Sequence, residues 1–351
     1  MNSKMIAIHS TYKKLMKYKL NIDSLLSDIR TELTNSIIFF PFIFLDKEKN
    51  EILKDKESSI KLDDILQEEN LFLKKEIIKR EMLGNILEKR NGFDIYLYPQ
   101  INFTKEEKDK STNIMVIGET GTGKSFWLHN LVNYIQNIQL EENNRYYLFD
   151  EKNLGDQYDK QHGEKLPNYL IVDKPYVYNI KPTNIYQNPI RIIDTPGYGD
   201  TRGLIQDNYK IQEIKKLLNK LNINSLNAIC LFIKATVSRI TMIKFIYPQL
   251  VSTFGKEIFN NLFVIFTFCD GNKNIYCLET LKNKDGDFYK CFGDINNIPY
   301  FTFNSMACFT DDREDVEKLY ENNNINFCKF FKTVSSFKRV SLSNNNYQKI
   351  E

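Results

Sequence analysis

The sequence is poor in the residues that build disulfide frameworks, metal clusters and membrane spans. It has only six cysteines and three histidines in 351 residues, and no cysteine pair has the CxxC spacing of a zinc or redox site. Isolated cysteines in apolar runs are most simply buried thiols, which suits a reducing compartment. The longest apolar run, residues 37–45, contains a proline and is far shorter than the about twenty residues of a membrane helix. The N-terminus has no apolar core of a signal peptide. We therefore expect a cytoplasmic protein with no transmembrane segment.

An excess of charge of one sign is also absent. The chain has 48 Lys and Arg against 45 Asp and Glu, a formal net charge of +3, which is too small for the basic footprint of a nucleic-acid-binding protein. Hydrophobic residues make up 42% of the chain, which is ample for a packed core, and the length allows two or three domains. We expect no nucleic-acid partner.

The strongest motif is a glycine-rich segment between a predicted strand and a predicted helix. The apolar run 114–117 precedes it and an amphipathic pattern follows it. In this setting, the GxxxxGK[ST] spacing predicts a P-loop, whose backbone N–H groups surround nucleotide phosphates. Its lysine, the predicted catalytic residue, reaches the β- and γ-phosphates, and its serine is a predicted Mg²⁺ ligand. The predicted nucleotide-binding residues here are Gly118, Glu119, Thr120, Gly121, Thr122, Gly123, Lys124, Ser125 and Phe126.

From Thr112 onward, predicted strands alternate with predicted helices. This alternation predicts an α/β fold, a P-loop NTPase with a doubly wound, mainly parallel sheet. Ligands of such sheets bind beyond the carboxyl ends of the strands. The predicted strands are 114–117, 176–180, 190–193, 228–233, 262–268 and 300–303, and the predicted helices are 124–136, 204–221, 239–254 and 312–332.

Three further segments follow predicted strands, although each alone is also an ordinary turn. The Asp of Asp-Thr-Pro-Gly at 194–197 holds Mg²⁺ in nucleotide triphosphatases, and its Gly N–H meets the γ-phosphate. The carboxylate that ends the segment 267–270 can accept two hydrogen bonds from guanine N1 and N2. Backbone N–H groups of the segment 304–307 can meet guanine O6. The predicted site residues are Asp194 for the metal, and Gly197, Thr267, Phe268, Asp270, Asn304 and Ser305 for the nucleotide.

The order of these motifs resembles a G domain. The extended motif at 194–203 and the segment Phe254-Gly255-Lys256-Glu257 resemble those of the immunity-associated (IAN/GIMAP-type) GTPases and their septin-like and chloroplast-import Toc relatives. The resemblance covers residues 112–335. It implies a Ras-like fold, binding of GTP/GDP and Mg²⁺, and often a homodimer across the nucleotide face.

The sequence departs from this pattern at three places. Phe268 replaces the lysine that stacks on the base, and Tyr198 stands where many small GTPases have the glutamine that orients the attacking water. Between Ser125 and Thr183 there is no Ser or Thr to complete the metal site. Thr183 is the later candidate, but it also fits a hairpin turn.

These departures shape the expected function. We expect a nucleotide switch with slow Mg-dependent GTP hydrolysis, raised by dimerisation or by a partner. Arg202 is a candidate donor to a facing copy, or simply a solvated surface residue. The alternatives are a non-hydrolysing GTP-binding scaffold and an adenine-nucleotide enzyme.

The sequence indicates three regions. Residues 1–111 are expected to be an α+β region with a linker, with a β-grasp-like module as one interpretation. Residues 112–335 form the predicted G domain, and 336–351 a polar tail. Two insertions, 140–174 and 271–297, interrupt the G domain, the first as a mobile switch or a plain surface insertion. Predicted elements of the first region are helices at 1–35, 60–66 and 75–91, strands at 36–46, 51–54 and 70–74, a turn at 47–50, and a linker at 91–110 with a capped turn at 104–107.

Overall fold

The computed structural model divides the chain into two compact units, Met1–Glu81 and Met82–Glu351. This division differs from the boundary at 111/112 that the sequence predicts, because residues 82–110 contribute strands that pair within the second unit. The structure describes residues 3–10, 13–36, 42–75, 81–150, 174–198, 204–237, 240, 243–270, 275–310 and 316–342.

The first unit is a four-stranded sheet with a helix packed on it. The strand order is β2-β1-β4-β3; the central pair, β1 and β4, is parallel, and the two outer pairs are antiparallel. Leu26, Ile29 and Leu33 of the helix α1 share an apolar core with the sheet. The elements are β1 Ser3–Ser10, β2 Lys13–Asn21, α1 Leu26–Ser36, β3 Phe42–Phe44, a 3-10 helix Lys54–Ser59, α2 Leu62–Ile65 and β4 Asn70–Lys75.

The helix predicted for residues 1–35 is wrong over residues 3–10 and 13–21, which form the antiparallel strands β1 and β2. The signal for a strand is the alternation of Tyr18 and Leu20 with Lys17 and Lys19, which has the period of two of a strand. The apolar residues after it have helical spacing, and they belong to α1. The prediction extended that helical spacing too far towards the N-terminus.

The second unit is built on a six-stranded sheet of order β14-β13-β12-β7-β10-β9. All neighbouring strands are parallel except β9, which pairs antiparallel with β10 at one edge. The sheet elements and their helices are β7 Thr112–Gly118, α4 Lys124–Ile135, β9 Tyr176–Ile180, β10 Ile190–Asp194, α5 Leu204–Lys220, β12 Ala228–Lys234, α6 Ile243–Phe254, a 3-10 helix Lys256–Asn261, β13 Leu262–Thr267, β14 Tyr300–Thr302 and α9 Val316–Ser336. The predicted α/β fold with a doubly wound, mainly parallel sheet is confirmed, and its strand order is that of a G domain.

Shorter elements of this unit correct several predictions. The helix predicted at 75–91 is wrong over residues 86–90, which form a strand, and the linker at 91–110 contains a strand and a helix. The first insertion contains a strand that pairs with β6, and the tail contains one that pairs with β11. These elements are β5 Ile86–Arg90, β6 Phe93–Leu97, α3 Lys105–Lys110, β8 Asn144–Tyr147, β11 Ser225–Leu226, α7 Leu278–Lys282, α8 Asp287–Phe292, a 3-10 helix Ile295–Asn297, a 3-10 helix Ser305–Cys308 and β15 Val340–Ser341.

One local prediction in this region is confirmed. The Thr104 hydroxyl accepts a hydrogen bond from the Glu107 amide, and the Glu107 carboxylate accepts one from the Thr104 amide. This reciprocal capping box begins α3, because each side chain satisfies a backbone donor that a helix start leaves free.

Both faces of the six-stranded sheet are covered, which explains the continuous apolar strands. Ile114 and Val116 of β7 face one buried cluster, with α4 and α9, while Met115 and Ile117 face the other, with α5 and α6. Trp127 of α4 is fully buried and lies edge-on to aromatic rings of the sheet. This packing fixes α4, and with it the loop that precedes α4, against the sheet. No helix in the described part of the chain is long and apolar enough to cross a membrane.

Candidate functional site

The predicted motifs meet at one edge of the six-stranded sheet. The strands β7, β10, β12 and β13 end at Gly118, Asp194, Lys234 and Thr267. They are parallel and in register, with Lys234 beside Thr267 and Phe232 beside Gly118. Their carboxyl ends therefore lie together, and this is the edge at which doubly wound sheets bind ligands.

The glycine-rich loop has the backbone of a P-loop. Gly121 and Gly123 have φ angles of +76° and +83°, a left-handed conformation that glycine adopts without a steric penalty. The Thr122 hydroxyl donates to the Glu119 carbonyl at 2.8 Å and closes the turn from within. The loop leads directly into α4, so backbone N–H groups at the helix start form an anion-binding position.

Lys124 is buried at the base of this loop. Its Nζ donates to the carbonyls of Gly118 and Glu119, both at 3.0 Å. Burial lowers the pKa of Lys124 to about 8, while the nearby carboxylate of Asp194 opposes this change. A cation held at a helix N-terminus and partly stripped of water is suited to bind phosphate.

Asp194 is the candidate metal ligand opposite this cation. It ends β10, and burial raises its pKa to about 6 although the Lys124 ammonium favours the charged form. A buried carboxylate is suited to bind a divalent cation, because the positive charge of the ion stabilises the ionised carboxylate that burial disfavours.

The donor set is sparse in the way that Mg²⁺ sites usually are. Within the described ranges, no group of three or more His, Cys, Asp or Glu could hold a metal ion. Ser125 and Asp194 would therefore need the phosphate oxygens of a nucleotide to complete a coordination shell. Magnesium is commonly bound by one or two carboxylates together with substrate phosphates, so the residues fit this ion.

The Asp-Thr-Pro-Gly segment pairs with the P-loop. The Thr195 hydroxyl donates to the Val116 carbonyl at 2.7 Å. Further along, the Thr120 amide donates to the Tyr198 carbonyl and the Tyr198 amide to the Gly118 carbonyl, both at 3.2 Å. These bonds form a parallel bridge, so the backbone of this segment lies directly against the phosphate loop.

Gly197 occupies the closest part of this contact. A methyl group on its Cα would lie 2.7 Å from Thr120 Cα and 2.8 Å from the Thr120 amide nitrogen, which only glycine avoids. The ammonium of Lys210, on α5, donates to the Gly197 carbonyl at 2.6 Å, and Lys210 is almost fully buried. A buried lysine therefore holds this turn in place, and nothing in the sequence motif indicates that lysine.

Tyr198 does not point its side chain into the site. The side chain is fully buried in the apolar cluster that α5 and α6 form with the sheet. It therefore lies away from the position of an attacking water. This arrangement agrees with the prediction that Tyr198 is no substitute for a water-orienting glutamine.

The predicted base-binding segment is tied to the P-loop. The Thr267 hydroxyl donates to the Thr122 carbonyl at 2.7 Å. The next residue, Phe268, has a φ of +58°, which is strained for a bulky side chain, and 45% of its surface is exposed. A methyl group on Gly123 would lie 3.4 Å from the Phe268 ring. An exposed aromatic ring is thus held beside the phosphate loop, and strain of this kind clusters at ligand sites.

Asp270 and Asn304 form a second pair at this end of the site. The side-chain amide of Asn304 donates from Nδ2 to the Asp270 carboxylate at 2.8 Å, which orients the carboxylate. Asn323 of α9 holds the backbone of Asn304 from both sides, by accepting from its N–H at 3.0 Å and donating to its carbonyl at 2.7 Å. The hydroxyl of Ser305 is buried and has no hydrogen-bond partner among the residues described. Asn323 was missed because no motif marks it.

Two predicted residues make other contacts, and a third lies outside the described residues. Thr183 lies in the β9–β10 turn and donates to the carbonyl of Ile135, at the far end of α4 from the P-loop, at 2.7 Å; its candidate metal role is wrong. The ring of Phe126 packs against His129 and Phe309. Arg202 and residues 151–173, which include most of the first insertion, lie outside the described residues.

The fold and the loop define the class of protein. The strand order with its antiparallel edge strand, and a P-loop between β7 and α4, make the second unit a P-loop NTPase fold of the G-domain type.

The comparisons with known proteins give structural likenesses alone. No protein-family profile matches the chain, and no curated protein sequence matches it. Among solved structures, a dimerization-deficient variant of Toc33 from Arabidopsis thaliana matches with 16% identity and a TM-score of 0.40, over 66% of this chain and 87% of that chain. Toc33 in complex with GDP and Mg²⁺ matches with 16% identity and a TM-score of 0.38, over 68% of this chain and 90% of that chain. Toc33 in complex with Mg²⁺ and GMPPNP has the same identity and TM-score, over 67% and 90%.

Proposed function

We propose that the chain is a GTP-binding protein whose G-domain-type unit acts as a nucleotide switch with slow hydrolysis. The observation that carries this proposal is the direct hydrogen bond between Thr267 and the carbonyl of Thr122. It joins a phosphate-binding loop to a segment with the spacing of a guanine-binding motif. A single ligand that extends from Lys124 to Asp270 would need an anionic end for the lysine and hydrogen-bond donors for the carboxylate. The phosphates and the base of a guanine nucleotide supply these groups.

The phosphates would bind at the P-loop with Mg²⁺. Lys124 would exchange its contacts with the loop carbonyls for phosphate oxygens, and the backbone N–H groups around Gly121 and Gly123 would surround the phosphates. Ser125 and Asp194 would hold Mg²⁺, which neutralises phosphate charge when bound. Lys124 and the loop N–H groups would thereby fix the position of the phosphates.

The base would bind at the segment that contains Asp270. Its carboxylate is held by Asn304 and can accept hydrogen bonds from guanine N1 and N2, which adenine does not supply. Phe268 offers an exposed ring on which the base can stack, in place of the usual lysine. The unpartnered Ser305 hydroxyl is a further group for a polar base. We therefore propose guanine over adenine.

Hydrolysis is proposed to be slow in a single copy. The Tyr198 side chain is buried away from the loop, and Thr183 is occupied in a distant turn. A missing group supplied in trans can raise such a rate by about 10³–10⁵. A second copy across the nucleotide face, with Arg202 as the donor, is one source of that group.

A non-hydrolysing GTP-binding scaffold is the second candidate. It is favoured by the same burial of Tyr198, because this residue, which stands at the position of the usual glutamine, then does not orient water. The two candidates differ in whether phosphate is released at any protein concentration.

The test has two stages. The nucleotide that copurifies with the full chain is identified first; guanine supports the proposal, and adenine contradicts it. Phosphate release is then followed across about a hundredfold range of protein concentration, with Arg202→Ala as a variant. Specific activity that rises with concentration supports a switch completed by a second copy. Measurable but constant activity identifies a self-sufficient site, and no activity identifies the scaffold.

For the first unit, we propose a β-grasp module. Support comes from its β-hairpin, its helix and its strand order β2-β1-β4-β3, with the parallel pair at the centre. The test is NMR spectroscopy on a fragment of residues 1–81. After resonance assignment, nuclear Overhauser effects between Ala7 and Asn70, which are paired in the sheet register, are expected. Their absence in a folded fragment contradicts this arrangement.

A further inference from the structure

The lysine that the base-binding motif lacks has a spatial substitute on the neighbouring strand. Phe268 occupies the motif position, and Lys234 at the end of β12 lies beside Thr267 in the sheet register. The Lys234 ammonium lies 5.5 Å from the centroid of the Phe268 ring, within the range of a cation–π contact. The stacking surface and the charge that one lysine usually combines are thus present as two side chains at the ends of two adjacent strands.

The ammonium of Lys234 also lies next to the P-loop. A methyl group on Gly121 would lie 3.7 Å from Lys234 Nζ, so the cation is in van der Waals range of the middle of the loop. Phe268 lies against Gly123 in the same loop. Since the N–H groups of this stretch surround phosphates in a P-loop, Lys234 lies between the phosphate position and the ring.

The charges around the loop leave room for another cation. The groups whose charges act on Lys124 are the carboxylates of Asp194 and Glu119 and the ammonium of Lys210. Together with Lys124 itself, these are two positive and two negative groups. A nucleoside triphosphate with its Mg²⁺ keeps a net negative charge. The charges of these four side chains sum to zero, so they do not neutralise the nucleotide.

Lys234 can supply that balance because it is not committed elsewhere. Within the described ranges, its ammonium forms no ion pair, and its contact is with the Phe268 ring. The side chain is partly buried, which strengthens its interaction with an anion compared with a fully solvated lysine.

We propose that Lys234 is a second phosphate-binding cation, which contacts the β- and γ-phosphates of the nucleotide beside Gly121 and replaces the charge of the absent motif lysine. This inference rests on the proposed function, since it assumes a guanine nucleotide in the site. Phe268 supplies the stacking surface and Lys234 the charge, so the two roles are separable by mutation.

The experiment compares ligands with and without the outer phosphates. Affinities of GTP and GMP for the full chain are measured with Mg²⁺ by displacement of a fluorescent guanine nucleotide. The variants are Lys234→Ala and Lys234→Arg. Lys244→Ala is the matched control, because Lys244 lies 5.0 Å from the centroid of the Phe245 ring on α6, so it removes a similar cation–π contact.

The proposal predicts a loss that depends on the phosphates. Lys234→Ala should weaken GTP binding about tenfold or more and leave GMP binding within about twofold. Lys234→Arg should restore most of the GTP affinity, since it keeps the charge. The emission of Trp127, which is the one tryptophan in the sequence and is buried in this unit, checks that each variant is folded.

Two results would overturn the proposal. Equal losses for GTP and GMP would mean that Lys234 only supports the Phe268 ring, and an unchanged GTP affinity in the folded variant would mean that Lys234 lies outside the site. Wild-type protein that binds no guanine nucleotide would refute the proposed function itself, and this result is read before any variant is compared.

Discussion

Replacement of Thr267 by valine tests the connection between the two halves of the site. The Thr267 hydroxyl is buried and donates to the Thr122 carbonyl at 2.7 Å, with a longer contact to the Ile233 carbonyl at 3.4 Å. Valine keeps the shape of threonine but removes the hydroxyl. The substitution therefore removes the bond between the base-binding segment and the P-loop with little change in packing.

The expected loss of stability follows from the burial of this bond. Removal of one partner of a buried hydrogen bond costs about 1–3 kcal/mol, because the other partner is left without a partner of equal quality. For a unit of this size, each kcal/mol lowers Tm by about 2–4 °C. We therefore expect Thr267→Val to lower Tm by about 2–12 °C, and to weaken GTP binding because the loop and the ring of Phe268 are no longer held together.

The assay uses the emission of Trp127, the one tryptophan of the sequence, which lies in the core of the second unit. Its unfolding transition reports this unit and not the first one. Thr267→Ser keeps the hydroxyl and is the matched control, expected to retain most of the GTP affinity. A Thr267→Val protein with unchanged Tm and unchanged GTP affinity would refute the view that this hydrogen bond joins the site.

Three further predictions concern other groups of the second unit. Asp270→Asn should weaken GTP binding by about 1–3 kcal/mol and favour xanthine nucleotides, measured by competition; unchanged preference would remove Asp270 from the base site. Burial lowers the pKa of His129 from 6.5 to about 3, so the unfolded state binds more protons below pH 6.5. As the pH is lowered from about 6 to about 4, protonation of this histidine in the unfolded state should therefore reduce the free energy of unfolding by about 1.4 kcal/mol per pH unit. Urea unfolding should show this dependence reduced in His129→Gln, and an equal pH dependence would contradict the shift. Gly197→Ala should break the pairing of Tyr198 with the P-loop, because the methyl would lie within 2.8 Å of the Thr120 amide nitrogen; faster hydrogen exchange of the Tyr198 amide is the expected result, and unchanged protection would contradict it.

The predictable part of the site is the part that lies in short segments. The P-loop, the carboxylate Asp194 and the segment that ends at Asp270 each lie at the carboxyl end of a strand, and parallel strands bring these ends together. Local spacing was therefore enough to place these residues at one edge of the sheet. The fold class followed in the same way, from strands with continuous apolar runs such as residues 114–117, which indicate a sheet buried on both faces.

The residues that sequence reasoning missed act from other elements. Lys210 reaches Gly197 from α5, and Asn323 reaches Asn304 from α9. Their positions depend on how helices pack on the sheet, which is a property of the whole unit. Lys234 carried a possible signal, since it ends a buried strand just as Asp194 does, and a charged residue at that point lies at the ligand edge.

The first unit shows a different reason for error. In β2, lysines such as Lys17 and Lys19 alternate with apolar residues. Over a few residues, alternation and helical spacing share several positions, so the pattern is ambiguous. Pairing with β4, distant in sequence, decides the outcome, and tertiary contacts of this kind override local preference.

The most direct measurement of the central claim is the binding of GTP with Mg²⁺ to wild-type protein and to Lys124→Ala by calorimetry. Lys124 supplies the buried charge at the base of the P-loop, so its loss should leave the phosphates without their principal cation. The account predicts GTP binding to the wild type, no detectable binding to Lys124→Ala, and a Trp127 unfolding transition that is retained in the variant. Binding of equal affinity in a folded Lys124→Ala protein would contradict the assignment of this site.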